Sequence, residues 1–114
     1  MVRDLEAWSR ELGRPIVLTE VGYPSLDGGA VWPWDQTRRA AVDLEEQRRA
    51  YAAFVSAWSG RPFLAGVYFW NWFGFGGAAC TDYTPRHKPA ADVLARWYAA
   101  PRFPPARPSR TREP

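Results

Sequence analysis

The 114-residue chain contains one cysteine and one histidine. One cysteine excludes a disulfide within the chain, and this pair alone cannot build a Cys/His zinc site. No apolar run approaches the ~20 residues of a membrane span, and no basic-then-apolar start marks a signal peptide. The sequence therefore predicts no metal, no cofactor and no membrane partner. If Met1 is the true start, it predicts a cytoplasmic protein; otherwise the localisation stays open.

The net charge of +3, from 15 Lys and Arg against 12 Asp and Glu, is carried by one end of the chain. Residues 101–114 hold four Arg and one Glu, which leaves residues 1–100 with 11 charges of each sign. A balanced domain has no net field to attract phosphates, so nucleic acid is not an expected partner. The Pro/Arg-rich residues 101–114 are expected to be disordered.

Hydrophobic residues make up 46% of the chain and aromatic residues 16%, which indicates a globular domain over residues 1–100. Apolar spacing and end signals predict alternating helices and strands. The predicted elements are a helix over 2–12, a strand from residue 16 to 19, a helix from Asp43 to about 59, a strand over 63–70 and a helix from Pro89. This alternation favours parallel βα units, with the long loops 21–42 and 71–88 after the strands, where α/β folds place their chemistry.

Two strand ends carry candidate functional residues. Glu20 follows the first buried run, where its carboxylate can serve as a nucleophile or an acid/base; a salt-bridged strand end is the alternative. Trp70 and Trp72 end the second strand, where aromatic faces can stack on sugar rings. Three further residues complete the predicted substrate-binding set: Tyr23, Trp34 and Asn71.

Two other patterns are interpreted as structural. Residues 74–79 fit a Gly-rich dinucleotide pattern, but no helix is predicted to start there, so no nucleotide is expected. Asp43 followed by Glu46 resembles a capping box at the start of the second helix. Glu45 and Glu46 are otherwise expected on the solvated face of that helix.

Four segments in order resemble glycoside hydrolase family 113, the (β/α)8 β-mannanase-type enzymes. They are Pro15–Ser25, Asp43–Gln47 with Tyr51, Gly66–Trp72 and Asp82–Ala90, and the resemblance covers residues 1 to about 100. It implies that Glu20 is the catalytic nucleophile, that Trp70 floors the sugar site and that the substrate is a β-linked polysaccharide or oligosaccharide. His87 stands where the family pattern leads one to expect glycine.

The resemblance also implies an incomplete barrel. The family's acid/base is a glutamate after an asparagine, yet the only asparagine here is Asn71, which tryptophan follows. The expected fold is α/β, the C-terminal portion of a (β/α)8 TIM barrel from its sixth helix to its eighth (about α6-β7-α7-β8-α8). The expected function is that of a retaining β-glycoside hydrolase fragment that is inactive alone.

Because the barrel is incomplete, the sequence does not determine what packs against the predicted strands. Five strand residues are expected to face strands that this chain lacks: Ile16, Leu18, Leu64, Val67 and Phe69. Their exposure predicts self-association or pairing with a missing N-terminal barrel portion. The alternative function is a non-catalytic carbohydrate-binding or assembly module derived from a barrel.

Overall fold

The computed structural model describes residues 1–100 and contains five elements in the order helix, strand, helix, strand, helix. They are α1 (Val2–Leu12), β1 (Ile16–Val21), α2 (Leu44–Trp58), β2 (Leu64–Phe69) and α3 (Pro89–Ala99). The order and type of the elements agree with the sequence prediction. β1 continues two residues past the predicted run. The predicted disordered tail, 101–114, lies outside the described residues.

β1 and β2 pair in parallel as a two-stranded sheet. Ile16 lies opposite Leu64, Leu18 opposite Val67, and the register shifts before Val21 reaches Phe69. A parallel pair needs a crossover, which α2 supplies. The carboxyl ends of both strands consequently lie at the same edge of the sheet, and the two long loops start there together.

The long loop between β1 and α2 is held by side chains at the start of α2. The carboxylate of Asp43 accepts a hydrogen bond from the Glu46 backbone N–H at 2.7 Å and so caps α2. The Glu46 carboxylate does not complete a capping box; it accepts from the backbone N–H groups of Gly28 at 2.9 Å and Ala30 at 2.8 Å. The expectation of a solvated Glu46 is therefore wrong, because this side chain holds the loop between β1 and α2.

The core lies between the sheet and the helices α2 and α3. Its buried members are Tyr51, Phe54, Trp58, Phe63, Ala90, Leu94 and Trp97. The five strand residues expected to face missing strands pack against this cluster instead: Ile16, Leu18, Leu64, Val67 and Phe69. That expectation is wrong because all five side chains face the chain's own helices. Leu64 and Val67, three residues apart, share this face because the register shifts just after Leu64.

The opposite face of the sheet is the uncovered one. Val17 of β1 is 47% exposed and Tyr68 of β2 is 68% exposed. A closed barrel fills this face with side chains from its other strands. The open face is therefore the one on which the remaining strands of a barrel would pack. Among the described residues, the helices are all too short or too polar to cross a membrane.

Candidate active site

The two strand ends are held together by the backbone. The Trp70 N–H donates to the Val21 carbonyl at 2.7 Å, which extends the pairing beyond β2. Gly22 allows this approach, because a Cβ at that position would lie 2.1 Å from the Trp70 carbonyl oxygen. The peptide bond between Trp70 and Asn71 is cis. Glu20 and Trp70 thus leave adjacent strands at the same edge of the sheet.

Glu20, Trp34 and Trp70 line one cleft of about 280 Å³, here named the Glu20 cleft. Its remaining lining residues are Gly22, Pro33, Gln36 and Tyr83. Glu20 is exposed, and it is the one carboxylate in this lining. Trp34 and Trp70 present exposed fractions of 74% and 45%, so both indole rings can meet a ligand. The cleft therefore combines one anionic oxygen pair with two aromatic surfaces.

Tyr83 joins the two loops across this cleft, although sequence reasoning did not single it out. Its hydroxyl donates to the Pro33 carbonyl at 2.6 Å. Burial, and then the negative charges of Asp35 and Glu20, raise the pKa of the Tyr83 hydroxyl. The hydroxyl therefore stays protonated at neutral pH and can keep donating. The available signal was its place in Asp82–Ala90, inside the loop that follows β2.

A second cleft of about 290 Å³ adjoins the first, and it is named the Phe73 cleft. The two clefts share Gln36, Trp70 and Tyr83, while Asn71, Phe73 and Asp82 line the second alone. The Asn71 Oδ1 accepts from the Phe73 backbone N–H at 3.1 Å, which turns the chain just after the strand. Phe73 is 84% exposed, so its ring is a free apolar surface beside polar groups.

Two predicted binding residues line neither cleft. The Tyr23 ring packs edge-on against Tyr51, with ring centroids 5.2 Å apart, and burial raises the pKa of its hydroxyl. Tyr23 helps to hold the loop after β1 through its backbone, since its carbonyl accepts a hydrogen bond from the Gln47 side-chain amide at 2.9 Å. Trp72 is 49% exposed and lies outside both linings. The structure thus brings together Glu20, Trp34, Trp70 and, in the second cleft, Asn71.

Gln47 is a second residue that sequence reasoning did not select. It is fully buried on α2, and its amide also donates to the Tyr83 carbonyl at 3.1 Å. One side chain thereby connects the loop after β1 with the loop after β2. A polar residue on an otherwise apolar helical face was the signal.

An acidic group lies beside the first loop but does not fit a metal. Carboxylate oxygens of Asp27, Asp43 and Glu46 lie within 4.8 Å of one another. Asp43 already caps α2, and Glu46 already accepts from Gly28 and Ala30. Because two of the three carboxylates, those of Asp43 and Glu46, are engaged by backbone donors, the group organises the loop.

Comparison with known proteins identifies the family of the chain. The profile of Glycoside Hydrolase Family 113 matches residues 1–100. No curated protein matches the chain. Among solved structures, the GH113 β-mannanase AaManA from Alicyclobacillus acidocaldarius, in complex with ManMIm, has 33% identity and a TM-score of 0.79. The alignment covers 86% of this chain and 33% of that one.

A complex structure of a GH113 β-1,4-mannanase has 23% identity and a TM-score of 0.77. That alignment covers 87% of this chain and 34% of the mannanase chain, and at this identity it supports the fold alone. The chain therefore spans about a third of the length of these two mannanase chains.

Proposed function

The chain belongs to glycoside hydrolase family 113, and from that premise we propose that it supplies the nucleophile side of a retaining β-glycosidase site. The proposed substrate is a β-linked, mannan-type oligosaccharide or polysaccharide, since the relative at 33% identity is a β-mannanase. The observation that carries the proposal is the meeting of Glu20 and Trp70 in one cleft at the ends of neighbouring parallel strands.

The proposed chemistry assigns one role to each group in the Glu20 cleft. The Glu20 carboxylate attacks the anomeric carbon and forms a glycosyl ester as the bond to the leaving oxygen breaks. The Trp70 ring stacks under the sugar that reacts, and Trp34 covers it from the first loop. Tyr83 forms the wall of the cleft between Glu20 and Trp34. It is close enough to Glu20 for that charge to raise its pKa, and its hydrogen bond to Pro33 holds it in place.

The second carboxylate must come from elsewhere in a barrel. Retaining chemistry needs two carboxyl groups about 5–5.5 Å apart, one of which protonates the leaving oxygen. The lining of the Glu20 cleft holds one carboxylate, and the 114 residues contain no Asn-Glu pair. We therefore expect no turnover from these residues alone and turnover once the remaining barrel strands cover the open sheet face.

Covalent trapping tests the assignment of Glu20. The chain is joined to the other six βα units of a family relative and incubated with a 2-fluoromannoside that carries a good leaving group. Such a probe needs little acid assistance in its first step, so it should label Glu20 as an ester that mass spectrometry locates. Glu20→Gln should abolish labelling, whereas Asp27→Asn, a matched loop change, should leave it intact. A label on another carboxylate would reject the assignment.

A second candidate function is a non-catalytic carbohydrate-binding or assembly module. The exposed sheet face with Val17 and Tyr68 favours assembly with another barrel portion. Oligosaccharide titration separates the alternatives. If Trp70→Ala weakens binding while a hybrid barrel stays inactive and unlabelled, the module function holds instead of the catalytic one.

A further inference from the structure

Lys88, the one lysine of the chain, lies buried between the two loops that form the clefts. It is 4% exposed, and its ammonium donates to the Ser25 hydroxyl at 2.8 Å and to the Asp82 carbonyl at 2.9 Å. Ser25 is fully buried, and its hydroxyl donates onward to the Cys80 carbonyl at 2.6 Å. One cation therefore connects the loop after β1 with the loop after β2.

The partners of this ammonium are neutral oxygens. The ion pairs found within residues 1–100 are Met1 with Asp4 and Arg48 with Glu45, neither of which involves Lys88. Burial lowers the pKa of Lys88, while the nearby Cys80 thiol and Asp82 carboxylate act in the opposite direction. Burying an ammonium whose direct hydrogen-bond partners are neutral oxygens costs free energy, so stability alone does not account for a lysine at this position.

The residues that bind the Lys88 ammonium lie next to residues that line the two clefts. Ser25 follows Glu20 by five residues, and its backbone carbonyl accepts from the N–H of Asp43, the cap of α2. Asp82 lines the Phe73 cleft, and Tyr83, the next residue, lines both clefts and bonds to Pro33. A shift of the Asp82 carbonyl would therefore move Tyr83 relative to Glu20 and Trp34.

We propose that Lys88 is a positioning residue for the sugar site: through Ser25 and the Asp82 carbonyl, its ammonium holds the Tyr83 wall against the loop that carries Trp34. This inference rests on the proposed function for its ligand, but its geometry is tested separately. On this proposal, the buried charge of Lys88 maintains the shape of the site and does not stabilise the core. Binding and stability should accordingly respond differently when the charge is removed.

Lys88→Met tests this separation, because Met, one atom shorter than Lys, keeps a flexible apolar stem but has no donor. We expect the affinity for β-1,4-mannotriose, titrated into the 114-residue chain, to fall about fivefold or more as the site loses its geometry. The thermal midpoint should stay the same or rise, since the buried charge is gone. Arg48→Met, which removes an exposed cation from α2, should change neither quantity.

NMR gives a readout that needs no sugar. In the wild-type chain the Tyr83 ring should show contacts to Pro33, and Lys88→Met should weaken them and shift the indole N–H of Trp34. Ser25→Ala, which keeps the lysine, should produce a smaller change of the same kind, and it serves if Lys88→Met fails to fold. Unchanged Tyr83 contacts in a folded variant would overturn the inference. A wild-type chain that binds no mannotriose would reject the proposed function, while the Tyr83 contacts would still decide the role of Lys88.

Discussion

Replacing Glu46 with alanine should release the loop between β1 and α2 while leaving the helix in place. The Glu46 carboxylate accepts from the Gly28 N–H at 2.9 Å and from the Ala30 N–H at 2.8 Å. This loop carries Pro33, Trp34 and Gln36 to the Glu20 cleft. The cap of α2 is formed by Asp43, so the helix start does not depend on the lost carboxylate.

The magnitude follows from the two hydrogen bonds. The part-buried bond from Gly28 to the charged carboxylate contributes about 1.5 kcal/mol, and the exposed bond from Ala30 contributes about 0.5–1.5 kcal/mol. We expect the local opening free energy of the loop to fall by about 2–3 kcal/mol. Since 1.4 kcal/mol is tenfold, amide exchange at Gly28 and Ala30 should accelerate by about 30- to 150-fold.

Amide hydrogen exchange monitored by NMR measures this effect residue by residue. The matched control is Glu45→Ala, because Glu45 precedes Glu46 on the same helix but its carboxylate pairs with the exposed Arg48 instead of the loop. This control should leave exchange at Gly28 and Ala30 unchanged. The reasoning fails if Glu46→Ala exchanges at the wild-type rate there, or if the amides of α2 and α3 accelerate equally, because the change would then be global.

Two further predictions concern the core and the Phe73 cleft. Burial raises the pKa of the Tyr51 hydroxyl, which has no hydrogen-bond partner of good geometry within residues 1–100. Because the unfolded chain releases this proton near pH ~10 while the folded chain retains it, stability should fall as pH rises above that value. Tyr51→Phe should reduce this loss of stability at alkaline pH, measured by urea titration, and should leave stability at neutral pH equal or higher. The control Tyr68→Phe, at an exposed position, should leave the alkaline loss unchanged. The argument is contradicted if Tyr51→Phe and the wild type lose the same stability between neutral and alkaline pH. If the Phe73 cleft holds a second sugar under the proposed function, Phe73→Ala should weaken the binding of mannotriose but not of mannose, as measured by calorimetry. Equal losses for both ligands would place Phe73 outside a second subsite.

The sequence alone determined the elements and the edge of the sheet that carries the candidate site. Helical spacing, Gly13 after α1 and the Asp43 cap are local signals, and each acts within a few residues. The alternation of helices and strands required parallel pairing, which placed Glu20 and Trp70 at one edge. These predictions needed no knowledge of contacts between distant residues.

The tertiary structure alone decided which side chains meet. Tyr83 reaches Pro33 across 50 positions and Lys88 reaches Ser25 across 63, and no local pattern encodes such pairs. The same holds for Glu46, which local spacing assigned to solvent but which binds Gly28, and for Tyr23, which packs against Tyr51. The strand face that packs on the helices was also decided there, because alternation defines two faces without saying which one the helices cover. Local periodicity sets the conformation of each segment, whereas the partners of buried polar groups depend on how distant segments pack.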